Sequence, residues 1–300
     1  MKIGVYENTE KTKDCVKASA IVSDLTQNGY HCVEIVDLSD TALSELSILL
    51  VLGGDGTILR CARACARLGV KIVGINYGTL GFLAEFEKDE LAKLPDFLRA
   101  VQNAESAKNA HDKNNENAKT AQTAKKAQTL ERADDTIAVG ELRRFLLEVT
   151  YKGERFYAMN EAAIRRDYSQ KDSRMLGAQI AVNGYEFDEL SGDGALIATP
   201  TGSTAYSLSA GGPILSPQTN ALLFTPLCAF SLASRPVVFS SCDEISVNIK
   251  RGSAFLTLDG ETKAKIDENE TLCVKVSKLY ASFPTRSLSG FYKKVRKKLS

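Results

Sequence analysis

Three hundred residues with 44% apolar and 25% charged side chains suit two folded domains, each able to bury its own core. Lysine plus arginine (38) nearly balances aspartate plus glutamate (37), which excludes recognition of nucleic acid or an anionic membrane through a global field. Only His31 and His111 are available for a histidine metal centre or a Ser/His/Asp triad, and the seven cysteines lack CxxC spacing, so those chemistries are set aside and reduced thiols in a cytosol are expected.

In chain order, residues 1–101 alternate short aliphatic runs with helical stretches. The runs are "KIGVY", "CVEIV", "ILLVL" and "KIVGIN", and Ala18, Ile21, Val22 and Leu25 form a helical stripe between the first two. This rhythm predicts an α/β domain on a parallel, Rossmann-like sheet, with Gly29 and Gly69 as left-handed helix stops. Residues 102–136 turn to Ala, Lys, Asn, Gln and Thr, too polar to fold alone, and read as a disordered insertion or a solvated helix. Residues 137–286 follow a β-like pattern with hairpin signals at Asn183-Gly184 and Asp259-Gly260, which predicts a second, mainly β domain. The segment 287–300 places Phe291, Val295 and Leu299 on one helical face and is expected to dock back on the N-terminal domain. No signal-peptide core is present and no run reaches the roughly 20 apolar residues of a membrane helix, so a cytoplasmic protein without membrane contact is expected.

Residues 52–57 read "LGGDGT" at the end of a buried-looking strand. Glycines at 53, 54 and 56 would let the backbone turn through positive φ and present N–H groups to phosphate oxygens at the carboxyl end of the sheet. A carboxylate there repels phosphates unless it holds Mg²⁺ or accepts a proton from an attacking hydroxyl, both roles in phosphoryl transfer. Plain Asp-Gly turn chemistry is the alternative for Asp55. Arg60, Arg63 and Arg67 share one face of the following helix, and Arg60 is the one placed to approach a nucleotide phosphate. A second glycine- and hydroxyl-rich stretch, residues 191–215, lies between the apolar anchors 195–198 and 213–215 and suits ribose, amide and phosphate groups.

"GGDGT", "GINYGTLGFL", "NEAAI", the Asp193-Gly194 pair, "TPTGSTAYSLSAGGP" and "LDGE" occur here in an order that resembles bacterial NAD kinases, over the whole chain except 102–136. GGDGT alone is shared with lipid and sugar kinases, whereas the TPTGSTAYSLSAGGP run is specific. The resemblance implies transfer of the γ-phosphoryl of ATP to the 2′-hydroxyl of the adenosine ribose of NAD, with Mg²⁺ or another divalent cation. It implies Asp55 as general base with Gly56 beside it. Asn160, Glu161 and Asp193 would contact the dinucleotide, Asp193 on the nicotinamide side. Thr201 and the run Thr204, Ala205, Tyr206, Ser207, Leu208 and Ser209 would form the adenine and ribose pocket, with Tyr206 alternatively a packed aromatic. No protein metal ligand is assigned. A dimer or tetramer with NAD and ATP as partners is expected. A non-catalytic dinucleotide sensor is the competing binding-module reading.

Two departures from the family pattern stand out. Ser191 occupies a position that is often basic, so a basic contact is assigned to Arg174. Glu261 replaces a usual glutamine, an acceptor in place of an amide donor.

Overall fold

The computed structural model describes residues 1–9, 17–115, 139–169, 175–287 and 289–299. Arg174 and the 116–136 part of the low-complexity stretch lie outside the described residues. The chain divides into two compact units, one formed by Met1–Leu142 with Ser282–Ser300 and the other by Arg143–Ala281.

The first unit is built on a parallel sheet. Its strands are β1 (Lys2–Glu7), β2 (His31–Ile35), β3 (Ile48–Gly53) and β4 (Lys71–Asn76), in the order β2-β1-β3-β4. Helices α1 (Ala18–Gln27), α2 (Asp40–Leu43) and α3 (Asp55–Ala66) connect them. Every residue of β3 is buried, as expected for a central strand with both faces covered, so its pattern is continuous rather than alternating. Gly29 and Gly69 take φ of +86° and +70°, the left-handed geometry that ends the preceding helices. After β4 come the short β5 (Phe86–Glu87), a 3₁₀ turn at Lys88–Lys93 and α4 (Leu94–Asn115). Leu94, Phe97, Leu98 and Val101 of α4 are buried against this core. The helix runs on past residue 102, where composition alone placed the start of an insertion, and Lys71 and Glu105 form an ion pair. The C-terminal residues of the chain return to this unit, where Ser282 pairs with Lys71 on the β4 edge.

The second unit is antiparallel. β6 (Gly140–Tyr151), β7 (Glu154–Ala158), β8 (Glu161–Arg166), β9 (Leu176–Val182), β10 (Tyr185–Gly192), β11 (Gly194–Ala198), β12 (Ala221–Leu227), β13 (Val237–Ser240), β14 (Ile245–Arg251), β15 (Ala254–Leu258), β16 (Glu261–Ile266) and β17 (Thr271–Thr285) supply its strands. One layer runs β10-β9-β14-β17 with β6 and β7 joined to it, and the other β13-β12-β11-β8-β15-β16. Both contribute to one apolar core that includes Leu147, Ile164, Ile180, Ile197, Phe224 and Val247. Three hairpins use two-residue turns with both residues at positive φ: Lys152-Gly153, Asn183-Gly184 and Asp259-Gly260. The twist of such turns matches that of the strands they join. β11 is buried along its length, because its other face packs with Leu227 and Ala210. Helix α5 (Tyr206–Ser209) follows β11, and α6 (Gly290–Leu299), in the first unit, ends the described chain.

Candidate active site

In the first unit β3 ends at Gly53, Gly54 caps α3 with φ −94° and ψ −179°, and Asp55 is the first helical residue. None of the three motif glycines is at positive φ, unlike the expectation from sequence. They are small for two other reasons. A Cβ on Gly53 would fall 2.8 Å from the Thr57 side chain, whereas a Cβ on Gly54 or Gly56 would meet nothing within 4 Å. Open space lies over these two, and both line a cavity of about 450 Å³ together with Asp55, Tyr77, Gly78, Thr79, Leu80, Gly81 and Lys298. The start of α3 turns the positive end of the helix dipole to this cavity, which favours phosphate oxygens.

Asp55 is fixed by the loop after β4. Its Oδ2 accepts the Phe82 N–H at 2.7 Å and its Oδ1 the Leu83 N–H at 3.1 Å. That loop is shaped by Asn76, whose Oδ1 accepts the Gly78 N–H at 3.0 Å while its Nδ2 donates to Glu87 at 2.9 Å. Arg60 hydrogen-bonds the Tyr6 hydroxyl and lines a second cavity of about 320 Å³ with Glu7, Asn8 and Glu34.

In the second unit one carboxylate that sequence reasoning treated as turn chemistry organises the site. Asp259 accepts the backbone N–H groups of Met159 and Asn160 at 2.8 Å each and of Glu161 at 3.2 Å. The Asn160 carbonyl accepts the Thr199 N–H at 2.9 Å. A Cβ on Gly202 would lie 2.1 Å from the same oxygen, so glycine is required where the 199–204 turn crosses residue 160. Thr201 Oγ1 accepts from buried Arg144 at 3.2 Å. Glu161 is 7% exposed, and one of its carboxylate oxygens has no hydrogen-bond partner in the structure. Burial, and then the negative charge of Asp259, push the Glu161 carboxyl up to about 7, against a smaller opposing contribution from the Tyr206 N–H.

Asn160, Glu161, Thr201 and Tyr206 are thus brought together. Ser207 is buried with its hydroxyl engaged by Thr225 at 2.9 Å, while Tyr206 and Ser209 are exposed and Thr204, Ala205 and Leu208 half-buried. Asp193 is not part of this group. Glu161 pairs with Ala198, and Gly194 with Arg165, so Asp193 lies just past the other end of the β8–β11 pair, about 16 Å along the strand from Ala198. There its carboxylate hydrogen-bonds the Tyr168 hydroxyl and the Cys228 thiol. Burial and then that bond raise the Tyr168 pKa, and the bond itself raises that of Cys228. Arg251 donates to Ser191 Oγ at 3.1 Å, so a guanidinium from another strand reaches the residue that lacks a charge of its own. Glu261 is exposed and paired with Lys263 at 2.7 Å.

Sequence reasoning did not single out Gly81 and Lys298, which line the Asp55 cavity of the first unit, or Asp259, Arg144 and Arg251, which contact the candidate residues of the second. "GINYGTLGFL" and "LDGE" held two of them in plain view, but their partners are distant in sequence.

Two family models match the chain: the ATP-NAD kinase N-terminal domain over residues 5–103 and the ATP-NAD kinase C-terminal domain over residues 159–285. An NAD kinase of Caldanaerobacter subterraneus subsp. tengcongensis is 33% identical, covering 100% of this chain and 99% of its own length. An NAD kinase of Aquifex aeolicus is 33% identical over 83% of this chain and 80% of its own. Among solved structures, an NAD kinase from Archaeoglobus fulgidus in complex with ATP superposes with a TM-score of 0.70 at 23% identity, covering 99% of both chains. Yeast NADH kinase complexed with NADH gives 0.72 at 20% identity over 100% of this chain and 87% of its own. These two likenesses carry the fold. No described helix is long and apolar enough to cross a membrane.

Proposed function

The chain belongs to the ATP-NAD kinase family, and from that membership we infer that it transfers the γ-phosphoryl of ATP to the 2′-hydroxyl of the adenosine ribose of NAD, giving NADP. The observation that carries the chemistry is the Asp55 carboxylate, held by two backbone N–H groups in a glycine-walled cavity. Those donors occupy one lone pair on each oxygen and leave another on each to accept the proton of the attacking hydroxyl. Gly54 and Gly56 let the donor's phosphates approach bare backbone at the start of α3. Positioned base catalysis supplies roughly 10² to 10⁴ in rate, and orientation of the reactants much of the rest.

Recognition of NAD falls to the second unit in this reading. Asn160, Glu161, Thr201 and the 204–209 turn, set by Asp259, take the adenosine end through ribose hydroxyls and adenine, with Tyr206 on the exposed side. Asp193, Glu261 and Arg174 are the further substrate contacts, Asp193 toward the nicotinamide amide.

A divalent cation is part of the proposal. Among the described residues no group of three or more His, Cys, Asp or Glu is placed to hold one, and Asp55 is the carboxylate lining the cavity. That donor set fits Mg²⁺, which is commonly bound through one or two carboxylates plus substrate phosphates. When bound it would supply neutralisation of phosphate charge. A cytoplasmic location is supported by the six cysteines among the described residues, all free, and a homo-oligomer, dimer or tetramer, by exposed Phe230 and Leu232 on the loop after β12.

Purified protein given NAD, ATP and Mg²⁺ is expected to form NADP, detected with an NADP-specific dehydrogenase. Formation no faster than with Asp55→Ala protein would overturn the reading.

A further inference from the structure

Helix α6 carries Lys293, Lys294, Arg296, Lys297 and Lys298, and these cations are not used alike. Lys294 Nζ donates to the Phe82 carbonyl at 3.4 Å and to that of Ala84, and the Phe291 ring centroid lies 5.9 Å from that of Phe82. Just upstream, Arg286 binds Glu85 at 3.1 Å and Glu90 at 3.0 Å. The C-terminal segment is thereby fixed to residues 82–85, the same stretch whose Phe82 and Leu83 N–H groups hold Asp55.

Lys298 lies one turn beyond Lys294. Its ammonium is 4.4 Å from the centroid of the Phe82 ring, and the residue lines the Asp55 cavity. Asp55 and Lys298 are the two charged side chains of that lining. A ring face holds an ammonium in place without neutralising it as a carboxylate would. Among the described residues Lys298 forms no ion pair, so its charge is left to the cavity. An ATP polyphosphate brings several negative charges next to Asp55, itself negative, and a cation here offsets that repulsion. A lysine suits the task because its compact charge on a flexible stem can follow a phosphoryl group that moves.

We propose that Lys298 is a phosphate-binding residue of the donor side, its ammonium contacting the terminal phosphate oxygens of ATP in the cavity above Asp55. The proposal rests on the reading that this cavity takes the donor's phosphates. It adds that the C-terminal helix belongs to the active site and is more than a surface anchor.

The test compares wild type with Lys298→Ala, Lys298→Gln, Lys298→Arg and, as a control, Lys297→Ala. Lys297 is exposed on the same helix and absent from the cavity lining. Steady-state NADP formation is measured against ATP and against NAD, with thermal melting on the same preparations. Calorimetric titration of tripolyphosphate reports phosphate binding without turnover. Expected are a loss of about tenfold or more in kcat/KM for ATP in the Ala and Gln variants and weaker tripolyphosphate binding by a similar factor. The KM for NAD should change by less than about threefold. Partial recovery in the Arg variant and near-wild-type behaviour of Lys297→Ala complete the expected pattern. Unchanged kcat/KM for ATP in Lys298→Ala overturns the proposal, as does an equal loss in Lys297→Ala or a loss matched by a large fall in melting temperature. Should wild type form no NADP, the kinase reading falls, and the tripolyphosphate titration alone decides the role of Lys298.

Discussion

Gly81 lies so close to the Asp55 carboxylate that a Cβ at position 81 would fall 2.0 Å from Oδ1. Gly81→Ala must therefore push the carboxylate aside and loosen its bonds to the Phe82 and Leu83 N–H groups. Misplacing a catalytic group by about 1 Å can lower the rate roughly 10²-fold, and overpacking commonly costs about 1–3 kcal/mol. The expected result is NADP formation reduced at least about 10²-fold, with the KM for NAD changed by less than about threefold. Alanine protein that turns over like wild type would show that this carboxylate does not need its observed position.

Asp55→Asn tests the proposed base role of this carboxylate. The amide cannot take the proton, so kcat should fall by roughly 10² or more. Stability should fall as well, because asparagine offers one acceptor oxygen where two backbone N–H groups now find two. The donor left facing the amide nitrogen costs about 1–3 kcal/mol. Thermal melting and an NADP assay on one preparation check both parts, and an unchanged melting temperature would contradict the two-donor geometry.

Glu161 supplies a pH signature. Its carboxyl is raised from 4.5 to about 7 by burial and by Asp259, so between those values the folded protein keeps a proton that the unfolded chain has lost. The resulting stability is present below about 4.5 and is lost as pH rises through 7. Glu161→Gln lacks that titration while still accepting the Tyr206 N–H. Relative to wild type it should gain little at pH 4.5 and roughly 2–3 kcal/mol by pH 8. Urea unfolding at the two pH values measures the difference, and a constant offset would rule out the raised carboxyl.

The low-complexity stretch should be dispensable, but only beyond the packed part of α4. Replacing residues 112–136 with a short Gly/Ser linker is expected to leave melting within a few degrees and kcat/KM within about threefold, since loop length carries little entropy. A deletion that begins at 95 removes buried Phe97, Leu98 and Val101 and should prevent folding of the first unit. Circular dichroism melts of the two deletions, with the NADP assay, distinguish them.

What the sequence made legible was local. Two-residue turns such as Asn183-Gly184, the aliphatic runs of β1 to β4 and the strand-end position of GGDGT follow from the residues within each segment. The rest depends on partners far along the chain. Asp259 reads as half of a turn until its carboxylate is seen on the backbone of residues 159–161, about 100 positions earlier. The glycines of GGDGT are explained by Thr57 and by open space, which no local φ preference reveals. Helix α4 crosses residue 102 because its first turns pack in the core and helix propensity carries the Ala- and Lys-rich remainder.

The first unit takes residues from both ends of the chain, Met1–Leu142 and Ser282–Ser300. A ribosome therefore completes the second unit's sequence before it releases the last piece of the first. Until residues 285–298 emerge, the 82–85 segment lacks Arg286, Lys294 and Phe291, and the loop that fixes Asp55 is anchored on one side only. The loop that holds Asp55 thus depends on residues that follow the whole of the second unit, and a product ending near 284 would keep every motif residue from Gly53 to Glu261 while lacking the contacts of Arg286, Lys294 and Phe291 that anchor the loop.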